Sequence, residues 1–260
     1  MSDALILVER EGDIATVILN RPHKLNALVK PMWQQLGETM RKLSDDDDLR
    51  CIVLRGAGEK SFAPGNDISE FKDERSNSTQ AKVYGEIHHE ALSAISECRH
   101  PIVALIHGIC VGGGLEIASL CDLRICGHSS RFGIPINRLG LTVGIREMQG
   151  LFQLVGKAVT MEILLEGRVF DAAEALAKQL VTRVVADDQV EQEAYATARR
   201  IADGAPLVAR WHKQFMRRQF DPSPLSEVEK DAGYQCYDSE DFQIGYNSFL
   251  DKIKPEFKGQ

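Results

Sequence analysis

Three consecutive glycines, Gly112–Gly114, stand two residues ahead of a glutamate, Glu116, in a stretch that is otherwise apolar. An apolar β-type run precedes them and a helical run begins at them. A glycine turn between strand and helix leaves backbone N–H groups unpaired at the positive end of the helix dipole. Such a place suits an anion, either a phosphate or an oxyanion that develops during a reaction. The spacing is neither that of a Walker loop nor that of a dinucleotide fingerprint, because the Lys-Ser/Thr pair and the GxGxxG glycines are missing. Tight helix–strand packing is the other use for such glycines, and both readings stand. Glu116 either caps the helix or, in an apolar wall beside an anion site, serves as a general acid or base. A second junction, Pro64-Gly65-Asn66-Asp67, has the same logic. Asp67 can cap the following turn. Asn66 can offer its N–H as a second donor to the same anion, or the segment is a plain Asx turn.

Other reactive residue types carry less. His88 and His89 are adjacent on a predicted helix rather than four apart, so they cannot share a metal well and read as surface histidines. The six cysteines include no CxxC pair, and most sit in apolar runs, as expected of reduced, buried thiols in a cytoplasmic protein. No metal site is expected. Ser119 has no nucleophile-elbow context. Arg210, Lys213 and Arg217 share one face of a predicted helix over 209–220, with Arg218 beside them. That face is either solvated, part of a subunit interface, or a site for a polyanion.

Alternating strands and helices must position these groups. Leu5–Glu9 and Ile14–Leu19 read as a hairpin, followed by a helix from Pro31 to about Leu43 with Trp33, Leu36, Met40 and Leu43 on one side. Cys51–Gly56, Pro101–Ile106 and Leu123–Cys126 read as buried strands, Thr79–Cys98 and Gly113–Leu120 as helices. The pattern implies an α/β fold with mainly parallel connections. After about residue 145 helical periodicity dominates, interrupted by one strand at Leu180–Val185. We divide the chain into a core over 1–200 and a helical region over 201–260.

With 260 residues the chain can bury a full core without disulfides or metals. Its 43% hydrophobic and 27% charged residues exclude disordered, collagenous and coiled-coil classes. A net charge of −7 gives no general attraction for nucleic acid or an anionic membrane, so a polyanionic ligand must meet a local basic patch. The most apolar window, Pro101–Leu120, is about as long as a membrane span, but four glycines, His107 and Glu116 interrupt it. The opening MSDALILVEREGD lacks the basic and apolar regions of a signal peptide.

These segments together resemble the crotonase family, the enoyl-CoA hydratases and isomerases. Leu19–Leu28 (LNRPHKLNAL) looks like its CoA-contacting segment. Val53–Phe71 looks like its first oxyanion-hole motif, and His107–Cys126 (HGICVGGGLEIASLCDLRIC) like the second. Arg131–Leu141, Leu164–Val185 and Ser248–Gly259 continue the resemblance over nearly the whole chain. It implies a crotonase-like spiral of ββα turns with a helical C-terminal trimerisation region, assembled as a homotrimer or a dimer of trimers. It implies an acyl-CoA substrate from fatty acid metabolism or a related route, with no separate cofactor; membrane and nucleic acid are not expected partners. The N–H groups of Asn66 and Gly113 would bind the thioester oxygen, with Glu116 as acid/base. Lys24, Leu25 and Ala27 would contact CoA, as would Pro64, Asn66, Asp67 and Ile68, together with Gly112 and Gly113. Ile136 and Gly144 fall at acyl-pocket positions. Phe249 and Lys252 match a pair that closes the CoA pocket of a neighbouring subunit. His107 reads as structural.

The pattern breaks at one place that matters. Hydratases of this family use two glutamates around one water, the second following the proline of an FGxPE motif. Here that motif reads Phe132-Gly133-Ile134-Pro135-Ile136, and an isoleucine cannot carry a proton. Just downstream, Arg146 and Glu147 bring charge to a helix that borders the acyl pocket in the family. They form a local surface ion pair, or they supply the polar groups lost at Ile136. The expected chemistry is hydration or another lyase step on an unsaturated acyl-CoA. Decarboxylation, hydrolysis and isomerisation are alternatives that use the same hole, as is a non-catalytic CoA- or RNA-binding role.

Overall fold

Apolar runs such as CIVL and IVALI show no polar alternation because both faces of the sheet they build are covered. The computed structural model describes residues 4–260; the reading of the first residues as lacking a signal peptide rests partly on residues 1–3, which lie outside the described ones. The chain begins with the hairpin β1 (Ile6–Glu11) and β2 (Ile14–Leu19), then α1 (Lys30–Ser44). Next come β3 (Cys51–Gly56), β4 (Ser61–Ala63), the short α2 (Phe71–Glu74) and α3 (Ser78–Glu97). The same succession repeats as β5 (Ile102–Ile106), β6 (Ile109–Val111) and α4 (Gly113–Leu120), and again as β7 (Leu123–Gly127), β8 (Arg131–Gly133) and α5 (Ile145–Glu166). After these follow β9 (Phe170–Asp171), α6 (Ala172–Ala177), β10 (Arg183–Val185), α7 (Val190–Ala202), α8 (Pro206–Arg218), α9 (Glu227–Asp231) and α10 (Glu240–Asp251).

In each ββα unit the first strand joins one sheet and the second strand another. The larger sheet runs β1-β2-β3-β5-β7-β10, parallel except for the β1–β2 hairpin. The smaller runs β4-β6-β8-β9, parallel except for β9. Strand alternation divides the core. Ile52, Leu54, Ile102 and Ala104 face the side packed by Trp33, Leu36 and Met40 of α1 and Ala91 and Ile95 of α3. Cys51, Val53, Val103 and Leu105 face Val190, Ala194, Ala198 and Ala202 of α7. The α/β reading and its long strands match. Of the strands of two or three residues, β10 falls within the expected Leu180–Val185, while β4, β6, β8 and β9 went unread, because so short a run shows no period and exists only through its partner.

One expectation is corrected. The basic face of α8 is not a solvated surface. Arg210 donates to the carbonyls of Asp47 and Leu49 at 2.8 and 3.3 Å. Lys213 donates to the His100 carbonyl at 2.7 Å and pairs with Asp122 at 2.7 Å. Arg217 reaches the Ser96 carbonyl at 3.0 Å. These cations hold α8 to the core, which weakens the polyanion reading. No helix among the described residues is long and apolar enough to cross a membrane.

Asn26 ties the segment before α1 to the β3–β4 turn. It is buried in a left-handed conformation, φ 65°. Its Nδ2 donates to the carbonyls of Ala57 and Ser61 at 3.1 and 2.8 Å, and its Oδ1 accepts the Arg21 N–H at 3.1 Å. Asn26→Ala strands three backbone groups and should cost about 2–4 kcal/mol. Urea unfolding measures it; a loss below about 0.5 kcal/mol, the range of a neutral surface change, contradicts the assignment.

Candidate active site

The exits of β4, β6 and β8 converge, and each contributes to one cleft of about 130 Å³. The β4 exit supplies Pro64, Gly65 and Asn66, the β6 exit Gly112 and Gly113, and the β8 exit Pro135 and Ile136. The strands are parallel, so their C-terminal ends, with the loops that follow, open on one side.

The glycine run divides packing and an unengaged N–H between different residues. A methyl built on Gly114 would lie 2.2 Å from the Ala63 carbonyl oxygen, so only glycine lets the first turn of α4 rest on β4. The Gly112 N–H is engaged by the Gly133 carbonyl at 2.9 Å. The N–H groups of Gly113 and Asn66 donate to no protein acceptor among the described residues, and both residues line the cleft. Their loops touch: a methyl on Gly65 would sit 3.0 Å from the Gly113 nitrogen. The Asn66 side chain is fixed from behind, its Oδ1 accepting from Trp33 Nε1–H at 2.7 Å and from the Tyr84 hydroxyl at 3.4 Å. The Leu28 N–H donates to the Gly65 carbonyl, and the Asp67 N–H donates to the Leu28 carbonyl, both at 2.8 Å. Arg21 adds a forked contact to Asp67 at 3.1 Å and a bond to the Ala27 carbonyl at 2.6 Å. The Ser69 hydroxyl and Arg21 hold the Asp67 carboxyl below its ordinary value, so it stays charged for that clamp.

Glu116, one turn into α4, is buried in the same wall. It meets a residue that sequence reasoning placed on the surface. His88 is only 3% exposed, and its Nε2 lies 3.1 Å from Glu116 Oε2, with the N–H turned off that line. Its Nδ1 lies 3.5 Å from Glu147 Oε1. The Trp33 ring packs on it, centroids 4.1 Å apart. Burial pulls the His88 pKa down, but the contacts with Glu116 and Glu147 outweigh this and raise it to about 9. Burial likewise pushes Glu147 up, and its bonds to His88 and to the Gly144 N–H overcome that and lower it to about 2. A signal for His88 was present: it shares helical spacing with Tyr84, Ala91, Leu92 and Ile95, the buried face of α3.

The structure brings Pro64, Asn66, Ile68, Gly112, Gly113, Glu116, Ile136 and Glu147 to the cleft. Asp67 and Ala27 support it through Arg21, and Gly144 through its 2.6 Å bond to Glu147. Leu25 is left-handed in the turn after Pro22–Lys24, and both Lys24 and Leu25 are exposed. Phe249, 83% exposed, and Lys252 lie at the end of α10 and line no part of this cleft. The expected Arg146–Glu147 pair does not form: Arg146 reaches Glu86 at 3.2 Å while Glu147 faces the histidines. Arg75, also unforeseen, lines the cleft with its guanidinium over Phe71 and Tyr84, 4.7 and 4.9 Å from the ring centroids.

A family model described as enoyl-CoA hydratase/isomerase matches residues 9–260. A short-chain-enoyl-CoA hydratase of Clostridium acetobutylicum is 32% identical over 253 residues, 96% of each chain. A crotonyl-CoA hydratase of Syntrophomonas wolfei is 30% identical over 254 residues, 97% of each. Among solved structures, an enoyl-CoA hydratase/carnithine racemase from Magnetospirillum magneticum is 47% identical with a TM-score of 0.98, covering all of this chain and 97% of the other. The fold is therefore the crotonase fold, as the motifs implied.

The His88 cluster makes stability depend on pH. A raised histidine pKa stabilises fully below the unfolded value of 6.5, and that contribution is lost as pH rises through about 9. The lowered Glu147 pKa stabilises above 4.5, and its contribution is lost as pH falls toward about 2. Urea unfolding at fixed ionic strength should show stability declining from pH 6.5 to 9, a slope that His88→Gln removes. An unchanged slope in that variant contradicts the contacts.

Proposed function

The chain belongs to the enoyl-CoA hydratase/isomerase family, and on that premise we propose that it adds water to, or eliminates it from, an acyl-CoA thioester. The observation that carries this reading is the pair of unengaged N–H groups at Asn66 and Gly113 on a cleft that also holds the Glu116 carboxylate. The thioester oxygen would accept from both. As water adds to Cβ, the C=C electron pair moves toward that oxygen, and each fixed donor is worth about 3 kcal/mol against the developing charge. Glu116 takes the proton from water as the C–O bond forms, and returns it to Cα as the thioester carbonyl re-forms. CoA enters as part of the substrate and leaves as part of the product, its thioester bond intact, and no separate cofactor is needed for these steps.

The acyl group would lie against Phe71, Ile136, Leu139 and Leu141, an apolar set. Lys24, Leu25 and Ala27 would follow the CoA arm. Phe249 and Lys252 would act from a neighbouring subunit. The exposed Tyr246, Phe249, Leu250 and Ile253 of the C-terminal region suit burial in a homotrimer or a dimer of trimers. In this proposal residues 1–200 carry the chemistry and 201–260 the assembly. Decarboxylation, hydrolysis or isomerisation through the same hole is the second reading, favoured by the position of Ile136 in the cleft where a second carboxylate would stand.

A panel of 2-enoyl-CoA thioesters followed by mass spectrometry tests the proposal. Hydration should appear on at least one member, and Glu116→Gln should lower it by about 10²–10⁴. Loss of carbon dioxide or free CoA instead of a gain of water would select the second reading. Ile136→Glu should raise the rate on short, simple enoyl thioesters; no gain would mean the acyl pocket is shaped for other chemistry.

A further inference from the structure

The two-glutamate mechanism has a gap at Ile136, and the cleft holds two titratable groups, His88 and Glu147, that the proposed reaction does not yet use. Glu116 is buried on the otherwise apolar α4, where a carboxylate needs a partner. Two elements supply it. His88 of α3 sets Nε2 at 3.1 Å from Glu116 Oε2. Glu147 of α5 sets Oε1 at 3.5 Å from His88 Nδ1. Glu147 is itself pinned by the Gly144 N–H at 2.6 Å. The three side chains all line the cleft. The order carboxylate, imidazole, carboxylate brackets the ring at both nitrogens, an arrangement in which two neighbouring acids favour a charged imidazole.

We propose that His88, clamped by Glu147, is the positioning residue that makes up for the missing second carboxylate: it sets its ring against Glu116 and keeps that carboxylate aimed at water. This rests on the acyl-CoA reading above. In the step, the O–H bond of water breaks toward Glu116 while its oxygen bonds to Cβ. The same proton then leaves Glu116 for Cα, and His88 keeps its own proton throughout, so atoms and charge balance without a further donor. Around the ring, Glu116 faces it from α4 and Glu147 from α5. His89 follows it on α3, 3.4 Å from Glu147, with burial and Arg146 holding the His89 pKa down. Arg146 is itself paired with Glu86. Trp33 from α1 brings no charge. The raised pKa of His88 agrees with a ring that is charged at neutral pH.

Two measurements test this on the intact protein. In the first, His88→Gln keeps an amide donor but cannot hold a cation; kcat should fall by about 10² or more with KM within about threefold. The alkaline limb of the wild-type pH–rate profile should be absent in that variant, and Glu147→Gln should shift the limb to lower pH. A His88→Gln enzyme within about threefold of wild-type kcat, or a limb unmoved by Glu147→Gln, overturns the proposal. In the second, nitrogen-15 NMR follows the His88 ring of the wild type through pH 6–10. A ring still doubly protonated at pH 8 supports the proposal, and a neutral ring at pH 7 overturns it. Should His88→Gln not fold, Glu147→Gln and the NMR titration decide. Absence of wild-type turnover on every thioester removes the acyl-CoA reading, whereas a neutral ring in an active enzyme removes only the role of His88.

Discussion

The whole site depends on one close approach of backbone to backbone. The first turn of α4 lies on β4 at a distance that leaves no room for a side chain at Gly114. From that contact the rest follows. Gly113 is brought against Gly65, so the two free N–H groups open on one cleft. Glu116, one turn further along α4, enters the same wall. Both sheets are needed, since β4, β6 and β8 deliver the loops while the larger sheet and α7 hold those short strands in place. Three residues of strand carry little stability alone; here their positions are imposed by ββα connections anchored in a core covered on both sides.

The preorganisation is layered outward from the hole. Asn66 is gripped through its side chain by Trp33, whose ring also packs on His88. Its loop is stitched to Leu28, and the segment before Leu28 is tied down by Arg21 and Asn26. A change at Arg21 therefore reaches the Asn66 loop through Asp67. Fixed donors are effective because they need not reorient as charge develops, and this chain keeps them fixed with hydrogen bonds formed before any substrate arrives.

What was legible in the sequence follows the range of the interactions. Long strands and amphipathic helices announce themselves by pattern, because each is apolar where it meets the core; Trp33, Leu36 and Met40 on α1 are the plain case. The hole was legible because Asn66 and Gly113 sit in contiguous motifs. Glu147 was legible as a candidate and the burial of His88 showed in the spacing of α3, but their meeting was not, since they belong to α3 and α5 and come together only after both helices pack on α4. Their adjacency is a property of three helices, and no local spacing encodes it. The cations of α8 misled for the same reason: a basic stripe looks solvated until the carbonyls at Asp47, Ser96 and His100 are placed against it.

In the proposed reaction, charge arithmetic lets an isoleucine stand where a second acid would be. Two carboxylates around one water repel, so one of them keeps a proton, and the resting pair carries one net negative charge. In this cleft Glu116 and Glu147 are both acids, and the imidazole between them carries the shared proton when His88 is charged, which again gives one net negative charge. The difference lies in where the proton rests. In the two-glutamate arrangement it rests on a group facing the substrate; in the proposed arrangement it rests behind Glu116, on a ring wedged under Trp33. The cleft wall at residue 136 is then free to be apolar. A bulkier acyl chain can lean on Ile136 without burying an unpaired carboxylate, which would cost several kcal/mol. On this view the isoleucine at 136 and the histidine at 88 belong together: the proton sits outside the acyl pocket, and hydrocarbon takes its place there.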